Sequence, residues 1–213
     1  MSRPRSRMNI QASDDYKIFY SNKSFIRYMH QPFGGRNVSE NYALAVLKDY
    51  TNEAYIQING FLRKGNYDND RIKGYYNTKE KYTILVLGDP VRKNHERINN
   101  LLAALEDRIY IKDLINIEPG TVVYRGVVKK PPFTIGQEFY FPEFISTSLS
   151  ESVAENFGNY IFVITLNGKG FKGVEKISCY PDEKEVLIEA YSKFRITDIK
   201  GNYYYMEKLE KNN

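Results

Sequence analysis

The chain has 213 residues, with 31 basic against 26 acidic side chains and a formal charge of +5; that balance is too mild for an extended nucleic-acid surface, which takes a denser basic patch. A single cysteine, Cys179, excludes an intramolecular disulfide. Two histidines, His30 and His95, give little basis for a zinc site and have no serine–histidine relay motif around them.

No run of about 18 apolar residues is present to span a membrane. The basic first residues (Arg3, Arg5, Arg7) lack the apolar segment of a secretory signal. The expectation for location is therefore a reducing compartment, or export by a route that needs no signal peptide. The length fits one domain over residues 14–210, behind a flexible terminus at 1–13. Aromatic bulk comes from 19 Tyr and 12 Phe with no Trp, rings that fill a core or line a pocket for a flat ligand equally well.

Residues 14–36 scatter aromatics and end in Gln31-Pro32-Phe33-Gly34-Gly35-Arg36, a clear chain breaker. The glycine pair has no strand before it and no helix cap after it, so it is a weak phosphate-loop signal. Ser39 is a fair N-cap, and Leu47, Tyr50, Ala54, Ile58, Phe61 and Leu62 recur every three or four residues. The spacing predicts a helix over about 40–63, with any interruption near Thr51 and with Gly65 as its stop. Tyr55 flanks the stripe, as core edge or as pocket wall.

Residues 66–94 are polar apart from one apolar run at 84–87, closed by Gly88-Asp89-Pro90. From about His95 to Arg108, Ile98, Leu101, Leu102, Leu105 and Ile109 share a helical face. Ile111, Leu114 and Ile115 suggest a further helical or turn segment.

After Glu118-Pro119-Gly120 the texture changes. Short apolar runs at 121–128, 144–149, 160–166, 174–178, 185–191, 194–199 and 203–206 alternate with turn residues and predict strands. One helix, 151–157, is expected among them with Ser150 as its cap. Helices first and strands after them define an α+β domain. No internal repeat is visible.

Three fragments of the β half carry polar groups suited to chemistry. Thr121-Val122-Val123-Tyr124-Arg125-Gly126-Val127 places one arginine inside an apolar strand. A guanidinium there needs a partner, either a cross-strand carboxylate or a phosphate gripped by its rigid fork. Gly126 beside it would let a flat ligand approach the backbone. Phe144-Ile145-Ser146-Thr147-Ser148-Leu149 carries three hydroxyls, which orient a carboxylate or cap the following helix. Tyr180-Pro181-Asp182-Glu183-Lys184-Glu185-Val186 brings two carboxylates one residue apart at a strand entry, with Tyr180-Pro181-Asp182 as the turn that feeds it. In extended backbone Glu183 and Glu185 project to one side, with Glu185 fixed by the strand and Glu183 on its lip. The two are a solvated strand edge, or a pair awaiting a cationic partner.

Arginine on one strand, Ser-Thr-Ser on a second and Glu-x-Glu at a third, in that order, resembles the arginine–serine–glutamate branch of the mono-ADP-ribosyltransferases, a group that includes bacterial exoenzyme toxins and vertebrate ecto-enzymes. Tyr50-Thr51, Tyr55, Ile58-Asn59 and Leu62-Arg63 are similar to that family's N-terminal helix, and the likeness runs over about residues 40–200. The resemblance implies a helical half followed by a mixed or antiparallel β-sandwich with a NAD-binding cleft. It implies NAD as co-substrate, no metal, and a protein acceptor with an accessible arginine.

By the same resemblance Arg125 grips a phosphate of NAD and Gly126 offers backbone groups to the nicotinamide amide. Ser146 orients Glu185, the catalytic glutamate, while Thr147 and Ser148 support the strand and the nearby ribose. Glu183 engages the acceptor; glutamate at this position goes with arginine acceptors in the family. Phe157 is matched to the aromatic that stacks in the loop after Ser-Thr-Ser, Tyr180 to the aromatic of the substrate-recognition loop, and Tyr55 to the nicotinamide end. The rival readings are a NAD glycohydrolase on the same fold, which releases nicotinamide without labelling an acceptor, and a non-catalytic nucleic-acid- or protein-binding module, which releases none.

Overall fold

The computed structural model describes residues 39–64 and 90–210. The terminus assigned to residues 1–13, the Gly34–Gly35 pair, His30, the Gly65 stop, the apolar run 84–87 and the turn residues Gly88 and Asp89 lie outside the described residues.

The first helix, α1 (Glu40–Asp49), runs into a π-helical segment (Tyr50–Ala54) and on into α2 (Tyr55–Lys64). Ser39 caps α1 as its side chain predicts, Oγ accepting from the Tyr42 amide at 3.3 Å. The interruption expected near Thr51 is the π segment, a widened turn rather than a break. Such a turn absorbs one extra residue and so rotates everything beyond it. On a continuous α-helix, side chains nine positions apart face about 180° away from each other. With one residue absorbed they stand roughly 80° apart, and this brings Tyr50 and Asn59 toward the same face.

The third helix, α3 (Pro90–Leu105), starts at Pro90 instead of near His95. Proline suits a first helical position, because the N–H it lacks would have no intrahelical partner there. Leu47 and Ile58 from the first helical rod, Ile98, Leu101 and Leu105 from α3, and Leu187 and Phe144 from the β half bury together in one core. Each such aliphatic side chain contributes about 1.5–3 kcal/mol on burial.

Nine strands follow: β1 (Ile115–Asn116), β2 (Val122–Val127), β3 (Glu138–Phe141), β4 (Ile145–Ser148), β5 (Tyr160–Thr165), β6 (Phe171–Gly173), β7 (Glu185–Ile188), β8 (Ser192–Lys200) and β9 (Tyr203–Lys208). Their spatial order is β1-β6-β7-β4-β2-β5-β9-β8-β3. All pairings are antiparallel except β5 with β9, so the sheet is mixed. The weak point is the β4–β2 seam, which is registered at the single pair Tyr124↔Ser148, whereas β2 and β5 are registered from Val122↔Thr165 to Val127↔Tyr160. Around this seam the two halves fold toward each other. Val186 and Ile188 of β7 share a second core with Phe139 of β3, Phe162 of β5 and Phe194 of β8, and Phe141 of edge strand β3 comes within 6.1 Å, ring centre to ring centre, of Phe162 of β5. This is the expected α+β domain with a sandwich-like β core.

Several boundaries differ from the sequence reading. Residues 174–178 form a turn, with the amides of Ile177 and Ser178 both donating to the Val174 carbonyl; the strand is the preceding Phe171–Gly173. The segment 185–191 ends as strand at Ile188, and Tyr191 takes a left-handed φ of 60°. The short helix α4 (Glu151–Glu155) has Ser150 at its cap position, but Ser150 Oγ bonds Ser152 Oγ instead of capping. Strands β1 and β3 lie where no strand was expected.

Candidate active site

The three polar fragments sit on adjacent strands, β2, β4 and β7, with the Ser-Thr-Ser strand in the middle. Register fixes their faces. Ser148 lies opposite Glu185 and Ser146 opposite Leu187, so Ser146, Ser148 and Glu185 share one face of the sheet. Ile145 on the alternate face packs into the sandwich core, while Leu187 packs against the helices. Glu185 is 1% exposed, Ser146 3% and Arg125 5%.

Arg125 reaches across the seam. Its Nη1 donates to the Ser146 carbonyl at 2.8 Å, two positions from the one residue of β4 that is registered with β2. A charged side-chain donor thus engages β4 where the ladder between β4 and β2 gives out. The guanidinium carries five donors in a rigid fork, and one of them holds this carbonyl. Arg125 is thus bonded to the backbone of β4, the strand that pairs with β7, which carries Glu185.

The hydroxyls of the middle strand divide their work. Thr147 Oγ1 donates to the Val186 carbonyl at 2.7 Å, clamping β4 to β7. Ser148 Oγ donates to the Glu183 carbonyl at 2.7 Å and accepts from the Ser150 amide at 2.9 Å. Each has a single proton to donate, and in both cases it is committed to backbone near Glu185.

The acidic pair is built differently from the extended reading. Pro181–Glu183 forms a 3-10 turn, and Lys184 takes a left-handed conformation with φ 46°. Simple strand alternation therefore does not relate Glu183 to Glu185. Glu185 opens β7 and is buried, while Glu183 is half-buried on the turn. Glu183 lies outside the strand, on the turn that precedes it, and the expected common projection from one extended strand is not found.

Gly126 is required by protein rather than by open space. A Cβ there would run into the backbone carbonyl of Ala154 at the end of α4, and a Cβ on Gly158 would meet the backbone of Val127. The two glycines let the α4 turn lie directly on β2 beside Arg125. Phe157, buried, is held next to this contact by its amide bond to the Ala154 carbonyl at 2.9 Å.

Tyr55 is buried in the helical core, its ring edge-on to Tyr50 at 6.3 Å. Tyr180 is half-buried just before the 3-10 turn, its amide donating to Ser178 Oγ at 3.0 Å.

A further device was only partly visible in the sequence. The Asn59 side chain accepts from the Phe144 amide at 3.1 Å through Oδ1 and donates through Nδ2 to the Phe144 carbonyl at 3.1 Å and to Tyr50 Oη at 2.9 Å. Tyr50 Oη lies 3.3 Å from the same carbonyl. Asn59 and Tyr50 are fully buried. Together they fix the backbone of Phe144, two residues before Ser146, to the helical layer. The π segment makes this possible by turning Tyr50 and Asn59 toward each other.

Among the described residues no group of three or more His, Cys, Asp or Glu side chains is placed to hold a metal ion, and no helix is long and apolar enough to cross a membrane.

A helical layer thus packs on a mixed sheet whose adjacent strands β2, β4 and β7 carry the arginine, the Ser-Thr-Ser run and the second glutamate of Glu-x-Glu. The family model described as ADP-ribosyltransferase exoenzyme matches residues 31–212, and the chain belongs to that family.

Mouse (Mus musculus) ecto-ADP-ribosyltransferase 5 is 36% identical over 81 residues, 37% of this chain and 26% of that protein. The NAD(P)(+)–arginine ADP-ribosyltransferase 2 of Gallus gallus is 39% identical over 77 residues, 36% of this chain and 24% of that one. The match thus spans about a quarter of these curated relatives' length. Among solved structures, the ADP-ribosyltransferase Vis in complex with agmatine superposes with a TM-score of 0.56 at 21% identity, covering 81% of this chain and 76% of that one. The catalytic domain of VahC from Aeromonas hydrophila superposes with a TM-score of 0.57 at 16% identity, covering 82% of this chain and all (100%) of that one.

Proposed function

We propose that the chain transfers ADP-ribose from NAD to an arginine of a target protein and releases nicotinamide. The observation that supports this reading is that Arg125, Ser146 and Glu185 stand on three adjacent strands, with Arg125 bonded to the Ser146 carbonyl and Glu183 on the turn just before Glu185.

The chemistry follows from the charges. Nicotinamide leaves the ribose as a neutral molecule, taking the electron pair of the glycosidic bond, and positive charge develops on the sugar as in glycoside cleavage. A fixed carboxylate at the ribose stabilises that charge without reorganising, and Glu185 at a buried strand start is such a group. Ser146 lies on the same face of the neighbouring strand, the side from which a hydroxyl can orient that carboxylate when substrate binds. Arg125, anchored on the Ser146 carbonyl, supplies the positive charge that draws the diphosphate.

The acceptor guanidinium is protonated at neutral pH, with a pKa above about 12. Glu183 pairs with it, aims one nitrogen at the ribose carbon and takes the proton released as the new carbon–nitrogen bond forms. Arginine as acceptor is supported by the Glu183 position, by the arginine named in the Gallus gallus relative and by the agmatine, a guanidinium compound, held by Vis.

The test is mass spectrometry of agmatine and of an arginine-bearing protein after incubation with NAD, using native protein and Glu185→Ala. The proposal expects a mass gain of one ADP-ribose with the native protein only. Nicotinamide release with no modified acceptor would make the chain a NAD glycohydrolase; no release by folded protein would remove the enzymatic reading.

A further inference from the structure

Two consecutive residues at the end of β4 grip two consecutive carbonyls of the acidic turn. Ser148 Oγ donates to the Glu183 carbonyl at 2.7 Å, and the Leu149 amide donates to the Lys184 carbonyl at 3.2 Å. Between these carbonyls lies Lys184 with its left-handed φ of 46°, a conformation that a non-glycine residue keeps only when its surroundings impose it. The turn closes on itself as well, the Glu183 amide donating to the Tyr180 carbonyl at 3.1 Å and the Lys184 amide to the Pro181 carbonyl at 3.0 Å. Ser148 Oγ in turn accepts from the Ser150 amide at 2.9 Å, which fixes the hydroxyl's direction.

We infer that Ser148 is a positioning residue for the acceptor carboxylate. By holding the Glu183 carbonyl it sets where Glu183 stands relative to Glu185, and so decides whether the ribose carbon is taken by a guanidine nitrogen or by water. This rests on the transferase reading above and deepens it. It also moves Ser148 from the ribose, where the family resemblance puts it, to the acceptor side, because its one proton is already given to Glu183. Thr147, one residue earlier, plays a contrasting part. Its proton goes to Val186 inside the β4–β7 ladder, and not to the turn.

Displacing a reacting group by about 1 Å costs up to about a hundredfold in rate, while water needs no such aim. Ser148→Ala is therefore expected to lower the ratio of agmatine modification to NAD hydrolysis by about 10-fold or more, with the loss in the acceptor's kcat/KM and the KM for NAD held. Ser148→Thr, which keeps the hydroxyl, is expected to restore most of the ratio. Should Ser148→Ala melt below the assay temperature, Ser148→Cys gives the same reading, since a thiol fills similar space with a far weaker donor.

A merely structural serine lowers both reactions together and leaves the ratio unchanged, and that outcome overturns the inference while native transfer continues. A change confined to the KM for NAD overturns it in favour of the ribose role. Native protein that hydrolyses NAD and modifies no agmatine, or that consumes no NAD, overturns both this inference and the transferase reading beneath it.

Discussion

Asn59→Ala tests the link between the helical layer and the catalytic strand. The native side chain is 1% exposed and makes three hydrogen bonds, two of them to the backbone of Phe144. Truncation strips the Phe144 amide of the acceptor it has on Asn59, a loss that costs about 1–3 kcal/mol for a buried donor. The Phe144 carbonyl is still approached by Tyr50 Oη at 3.3 Å, so its loss is partial, roughly 0.5–1.5 kcal/mol. The total expected is about 1.5–4.5 kcal/mol, which for a chain of this size lowers the melting temperature by about 3–18 °C. Tyr50→Phe removes one hydroxyl only and is expected to cost about 0.5–1.5 kcal/mol. Thermal and urea unfolding of the two variants beside the native protein measures both. Because Phe144 stands two residues before Ser146, folded Asn59→Ala should also lose turnover more than NAD affinity. An Asn59→Ala variant that melts within a degree of native, with unchanged turnover, refutes the reasoning.

Other consequences are equally direct. Glu183→Ala is expected to remove transfer to agmatine while NAD hydrolysis persists, and equal loss of both in folded protein contradicts the acceptor role. Gly126→Ala forces the α4 turn off β2 and is expected to cost about 1–3 kcal/mol as overpacking, read as a lower urea midpoint. Burial and the nearby Glu143 raise the pKa of Tyr191 from its ordinary value of 10.0. The folded phenol therefore stays protonated where the unfolded one ionises, so its share of stability is full below pH 10 and is lost as pH rises beyond it. Tyr191→Phe should flatten the fall of the melting temperature above pH 10, and an unchanged slope refutes this.

What was legible in the sequence follows from which signals are local. The Arg125, Ser-Thr-Ser and Glu-x-Glu fragments were legible because each is a polar interruption of an apolar run. The helical stripe was legible from its period, down to the interruption near Thr51. The form of that interruption was not: a π turn depends on what Tyr50 and Asn59 meet at Phe144, 85 residues along the chain from Asn59. The seam between β2 and β4 was hidden for the same reason, since strand pairing is non-local. The turn at Tyr180-Pro181-Asp182 was legible from its proline, but its extension through Glu183 to a left-handed Lys184 was not, because that conformation is held by Ser148 and Leu149 and not by the lysine's own preference. Strand β3 had a readable signal, Phe139 and Phe141 alternating after Gly136, both buried in the structure; the polar residues around it masked it. Gly126 was marked as a place where a flat ligand approaches; the close neighbour the structure shows there is Ala154 of the protein itself.

The central claim is that Glu185 acts on the transition state while Arg125 holds the substrate. Calorimetric NAD binding and nicotinamide release by Glu185→Gln, measured on the same folded preparation, test it most directly. The expected result is binding within a few-fold of native and release slower by about 10²–10³-fold. Release at the native rate, with binding intact, would contradict it.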